Sequence, residues 1–180
     1  YDGVPLPGPC PDTPLTSCDT PLASQLKYQL SSGKPDARKL KFNFKKGTPA
    51  RPLTDFGDPL DGTDYTLCLY EAGALSTSVT VPASATLWEN KADKKFQYKN
   101  KSVADIQKII MKAGTAAQPK ETLVKVKGKG ADLPALTMPL TLPVEVQVLS
   151  DTETVCFSDV FLTADQNDAS KEKFKAKNKP

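Results

Sequence analysis

Histidine is absent from this chain of 180 residues. That removes Ser-His-Asp and Cys-His nucleophilic catalysis, imidazole metal ligation and histidine-based pH switching. Arginine is nearly absent too: Arg38 and Arg51 stand against 22 lysines. Arginine makes most bidentate contacts to phosphates and bases, so no nucleic-acid partner is expected. No apolar run approaches the roughly 18 residues of a membrane span. The Cys-x2-Cys spacing that zinc sites use is missing. No motif names a reaction, so the chain is expected not to be an enzyme and to need no cofactor. With a net charge of only +3, the lysine-rich, sign-mixed surface reads as a device for solubility.

An apolar fraction of 38% is ordinary for a globular protein and too high for wholesale disorder. The clearest local signal lies in Asp64 to Val81. Tyr65, Leu67 and Leu69 alternate with Thr66, Cys68 and Tyr70, a turn at Gly73 follows, and Leu75 to Val81 alternates again. Period-two alternation broken by Gly is the mark of a half-buried hairpin. Similar strands are expected at Leu26–Leu30, Leu40–Phe44, Phe96–Tyr98, Leu123–Val126, Val144–Val148, Val155–Phe157 and Val160–Leu162. Val103 to Met111 fits either a helical face or a strand near Ile109. The end, Lys171 to Pro180, carries Lys at every second position; it reads as a lysine-faced edge strand or a frayed tail.

Residues 1–23 form a separate arm holding six of the 16 prolines, Pro5, Pro7, Pro9, Pro11, Pro14 and Pro21. Proline at that density favours an extended, polyproline-like chain. The four cysteines, Cys10, Cys18, Cys68 and Cys156, allow three pairings. The economical choice is Cys10 with Cys18 and Cys68 with Cys156, closing rings that would stabilise by about 2.6 and about 4.6 kcal/mol. Disulfides imply an oxidising, extracellular setting, with four buried free thiols as the alternative. The chain opens on Tyr1 without an apolar leader, which with the cysteines suggests a mature form after signal removal.

Internal similarity adds an architecture. Leu40 to Gly47 resembles Leu123 to Gly130 at an offset of 83, Tyr65–Leu69 matches Val144–Val148 at 79, and Lys95–Lys101 matches Lys173–Lys179 at 78. The expected fold is therefore all-β, a two-sheet sandwich of about ten strands. It would be built from half-repeats 24–104 and 105–180 packed face to face, behind the extended arm.

Few motifs carry chemistry. Asp55, Asp58, Asp61 and Asp64 recur every third residue around Gly57 and Gly62. Oxygen ligands on a bent loop suit calcium, although Asp-Pro and Asp-Gly are also ordinary turn formers. Trp88, Tyr98 and Tyr70 are candidates for an aromatic sugar platform, with core packing as the alternative. Asn100-Lys-Ser102 fits the N-glycosylation pattern.

Several segments resemble a group of uncharacterised, predicted secreted proteins of environmental bacteria. They are Asp55-Phe-Gly-Asp-Pro59, Tyr65 to Tyr70, Phe96 to Lys101, Lys112-Ala-Gly114, Val126 to Gly130, Pro139 to Val148 and Val155-Cys-Phe157. The resemblance spans Leu26 to Leu162 and leaves out the arm. Relatives often carry a further Cys pair near the position of Trp88, which this chain lacks. It implies secretion and a β-rich fold, and brings no activity. The expected role is an extracellular structural or assembly protein, self-associating through residues 1–23 into a filament or surface layer. The alternative is a secreted carbohydrate- or surface-binding module with a glycan partner.

Overall fold

The computed structural model describes residues 10–115, 122–152 and 155–179. Among them, twelve strands run in chain order: β1 Thr20–Gln29, β2 Lys39–Thr48, β3 Tyr65–Glu71, β4 Ala74–Val81, β5 Trp88–Lys91 and β6 Lys95–Lys99. There follow β7 Ile106–Lys112, β8 Leu123–Lys129, β9 Val144–Ser150, β10 Cys156–Phe161, β11 Gln166–Asp168 and β12 Lys173–Asn178. They form an antiparallel eight-stranded sheet, in the order β11-β12-β1-β2-β8-β7-β6-β5, and an antiparallel four-stranded sheet, β10-β9-β3-β4. The expected all-β sandwich is present, with twelve strands in place of about ten.

Alternation drives the packing. Leu26, Tyr28, Leu40, Phe42, Phe44, Val124 and Val126 point inward from the large sheet, and Tyr65, Leu67, Leu69, Val144, Val146 and Val148 meet them from the small one. Phe44 of β2 and Phe157 of β10 cross the gap, their ring centroids 5.3 Å apart. The stretch at Val103–Met111 resolves as the strand β7, because Ile106, Ile109 and Met111 all enter this core. A bulge between Ile106 and Lys108 shifts the side-chain phase, which is why helical spacing fitted the sequence as well.

The strand order reads the same backwards when each strand is exchanged for the one six places away in the chain. β2 and β8 lie side by side at the centre of the large sheet, and β3 and β9 at the centre of the small one. Each sheet therefore mixes strands from both halves of the chain. The halves do not pack face to face as expected; β12 pairs with β1, and β6 with β7. The lysine-rich end is neither an edge nor a frayed tail, since β12 is hydrogen-bonded on both sides.

The disulfides join Cys10 to Cys68 and Cys18 to Cys156, which overturns the economical pairing. Cys68 sits on β3 and Cys156 on β10, with β9 between them. Two strand spacings come to roughly 9–10 Å, beyond the reach of a disulfide. The proline-stiffened stretch from Cys10 to Cys18 instead runs across the outer face of the small sheet, tied down at each end. Midway, Gln147 of β9 clamps it, accepting from the Leu15 N–H at 3.1 Å and donating to the Leu15 carbonyl at 2.7 Å. Beneath lie Tyr70 and Leu149, a second small core separate from the main one. Pro5, Pro7 and Pro9 lie outside the described residues.

Asp19 ends this crossing. Its backbone pairs with β10 through Asp19 N to Cys156 O, 2.8 Å, and Ser158 N to Asp19 O, 2.9 Å. Its buried carboxylate receives two hydrogen bonds from Arg51, at 2.6 and 2.7 Å, and Asp55 adds a third contact to Arg51 at 3.4 Å. The Arg51→Ala variant would leave Asp19 charged and unpaired, a loss of about 3 kcal/mol. Urea unfolding is the measurement, and an unchanged midpoint refutes the assignment.

One glycine is demanded by geometry. Gly130 has φ +129°, and a Cβ built there would stand 2.5 Å from Ala104 Cα and 2.6 Å from its carbonyl oxygen. The close approach lets Asp132 N reach Ala104 O at 2.9 Å, closing the loop after β8 over the start of β7. Gly130→Ala combines an unfavourable backbone with overpacking, and is expected to cost about 2–4 kcal/mol by thermal or urea unfolding.

Candidate functional site

The strands that build the eight-stranded sheet contain an unusual composition. β1, β2, β6, β7, β8 and β12 include no Asp or Glu at all. Because alternate residues face the core, most of their polar positions fall on the outer face of the sheet, Ser24 and Asn178, which bond Asp159 of β10, being on the inner one. Fourteen of the 22 lysines stand there: one on β1, three each on β2, β8 and β12, and two each on β6 and β7. The net charge of +3 conceals this segregation, because it averages over a chain whose acidic residues all lie outside these six strands.

The register sharpens the pattern. Lys175 is directly opposite Lys27, Lys27 opposite Lys41, Lys41 opposite Lys127, Lys127 opposite Lys108, and Lys108 opposite Lys99. Six lysines thus form one unbroken row across six adjacent strands. Like charges directly opposite on neighbouring strands are destabilising. The Lys41 ammonium has its pKa lowered by desolvation first, then by Lys127, Lys27, Lys125 and Lys45. Lys108 is lowered in the same way, by desolvation and then by Lys127, Lys99, Lys95 and Lys125. Among the described residues, counter-charges stand only near the margin. Asp165 lies 3.5 Å from Lys175 and 4.0 Å from Lys177, and Asp168 and Glu89 are on the edge strands β11 and β5.

Comparison with known proteins returns no matching family model, curated protein or solved structure. The chemistry of the face is therefore read from the residues themselves.

Both arginines are committed to structure. Arg51 holds Asp19, and Arg38 Nη1 donates to the carbonyls of Ala131 and Leu133, each at 2.9 Å. What the outer face offers is ammonium groups: mobile point charges without the rigid fork that reads phosphate or base edges bidentately.

The residues singled out from the sequence go elsewhere. Asp58 accepts from the Leu60 N–H at 3.0 Å, Asp64 accepts from the Ala83 N–H at 2.8 Å, Asp55 faces Arg51, and Asp61 is exposed. These are turn and loop fastenings. Among the described residues, no group of three or more acidic or cysteine side chains gathers to hold a metal ion. The aromatic platform is not formed. Trp88 is buried, its indole N–H donating to Pro82 O at 3.1 Å, between Tyr98 at 5.4 Å and Tyr65 at 5.8 Å. Tyr70 lies on the far side of the small sheet, under the arm, its phenol pushed up to about 12 by burial and then by Glu145. Asn100 accepts from the Ser102 N–H at 3.0 Å in a turn after β6.

Proposed function

We propose that this protein is an extracellular binding module, without catalytic activity, that docks onto anionic polymers or surfaces through the lysine face of its large sheet. The observation that carries the reading is the six-lysine row on strands without a single acidic residue. A surface kept soluble by charge mixes both signs and avoids like charges in register. Here the repulsion is built in, and a polyanion laid along the row relieves it while releasing its own counterions. Two disulfides suit an oxidising compartment. Among the described residues, no helix is long and apolar enough to cross a membrane.

An internal duplication accounts for the breadth of the face. The reversible strand order supports it, as does the match of Phe96 on β6 with Phe174 on β12, both inward and 78 apart. The pair β2 and β8 fits better at an offset of 84 than 83, because Leu40 and Phe42 then meet Val124 and Val126, all facing the core. Each half contributes strands to both flanks of the sheet, so the face exists only when the halves interlock. Self-association through the arm is a separate reading that now concerns mainly Tyr1–Pro9, outside the described residues.

The test is binding of the full chain to a polyanion and to a neutral glucan across a range of salt. The polyanion is expected to bind with a log affinity that falls linearly with log salt, with a slope reporting several ammonium contacts. Equal binding of both polymers, or none, refutes the reading.

A further inference from the structure

We infer that the polymer this face takes is an acidic polysaccharide, bearing carboxylate or sulfate groups on hydroxylated sugar rings. The inference rests on the lysine-face reading and goes further by naming the ligand. Two residues along each strand from the lysine row, a second row crosses the sheet: Lys177, Gln25, Asn43, Lys125, Ile110 and Gln97, each opposite the next. This row is amide-rich where its neighbour is cationic. Asn43 and Gln97 are each only 7% exposed.

Asn43 Oδ1 is buried and has no hydrogen-bond partner among the described residues. A buried acceptor left unsatisfied is costly, and one on a residue that lines an open depression gains by turning to meet a donor from a ligand. Asn43 and Ile110 line a depression of about 210 Å³, with Lys41, Lys45, Lys108, Lys125 and Lys127 around them. That volume is below the roughly 300 Å³ at which pockets begin to enclose a drug-sized molecule. It suits one ring of a chain whose remaining units lie over the flat sheet.

The combination of groups discriminates between polyanions. Polyphosphate and the duplex DNA backbone present acceptors only, which satisfy the lysines and leave Asn43 Oδ1 unpaired. A uronate or sulfated sugar presents an anionic group and hydroxyl donors on the same ring. The anion reaches an ammonium of the lysine row, a hydroxyl donates to Asn43 Oδ1, and the C–H face of the ring rests on Ile110. With strands about 4.8 Å apart, the row of six lysines spans roughly 24 Å across the sheet, enough for several consecutive sugars.

The experiment compares the full chain with Asn43→Ala and Ile110→Ser, by calorimetry at fixed low salt. The probes are a polyuronate, a sulfated glycan, polyphosphate, duplex DNA and a neutral glucan, with thermal unfolding of each variant alongside. The expected result is tighter binding of the polyuronate or the sulfated glycan than of polyphosphate; the two glycans compared tell carboxylate from sulfate. Asn43→Ala should weaken the acidic glycan about fivefold and leave polyphosphate unchanged. Ile110→Ser, away from the polar contact, should weaken the glycan alone as well, and it serves if Asn43→Ala folds poorly. Equal binding of polyphosphate and both glycans, with both variants silent, overturns the polysaccharide while the lysine face stands. Preference for DNA overturns it in favour of nucleic acid. Absence of binding to every polyanion overturns the underlying function as well.

Discussion

Replacing Cys18 and Cys156 together by Ser is expected to lower unfolding stability by about 4 kcal/mol, read as a shift of the urea midpoint. The bond closes a span of 138 residues, against 58 for Cys10–Cys68, so the Cys10 and Cys68 pair should cost somewhat less. The consequence is local as well as global. Cutting both bonds leaves the stretch from Cys10 to Asp19 held by the Gln147 clamp, its backbone pairing with β10 and Leu75, and the Asp19–Arg51 pair. None of these closes a covalent ring. The reduced protein is expected to uncover Tyr70 and Leu149 and to bind an apolar dye. The main core, which packs independently between the sheets, keeps its far-ultraviolet signal. A reduced protein with an unchanged midpoint and no dye binding refutes this role for the arm.

The arm shows where sequence reasoning stops. Alternation in Tyr65–Tyr70 correctly put Cys68 opposite Leu67, but which sheet face is covered, and by what, depends on tertiary placement. Ring size favours pairing near neighbours, whereas the geometry of three adjacent strands forbids Cys68–Cys156 and spreads Cys10 and Cys18 across the sheet. The two-sheet class and most strand positions were legible because period-two alternation is imposed by the core. Similarity between Tyr65–Leu69 and Val144–Val148 pointed at equivalent strands, and these two do lie side by side at the centre of the small sheet. Interlocking of the halves was not legible, since either half could have closed on itself with the same pattern.

The lysine face was half legible. Lys173, Lys175 and Lys177 were visible as one side of a strand, and Lys39 and Lys41, and Lys125, Lys127 and Lys129, alternate in the same way. What the sequence lacks is the cross-strand register. A one-residue slip would set each of these lysines against a core residue, so register decides whether they scatter or line up. Net charge averages over the whole surface and hides the segregation. Trp88, chosen for its chemistry, was claimed by the core because its large apolar area is worth more buried than exposed.

The lysine row makes a prediction in which stability and binding move in opposite directions. Replacing Lys41, Lys127 and Lys108 together by Gln removes the four like-charge contacts between Lys27 and Lys99 along the row. At low salt this is expected to raise stability by about 1–2 kcal/mol. Affinity for an anionic polymer should fall about a hundredfold, at roughly one factor of five per lysine. The pH dependence follows from the depressed ammonium pKa values of Lys41 and Lys108. Between those values and the ordinary 10.5, the unfolded chain binds more protons than the folded one. Wild-type stability therefore rises with pH through that window, and the triple variant should be flatter. Added salt should stabilise the wild type more than the variant and weaken its polymer binding. If the row served only solubility, the variant would bind polyanions as the wild type does, and the face would need another explanation. If the variant were less stable at low salt, the lysine stems would be contributing packing that outweighs their mutual repulsion.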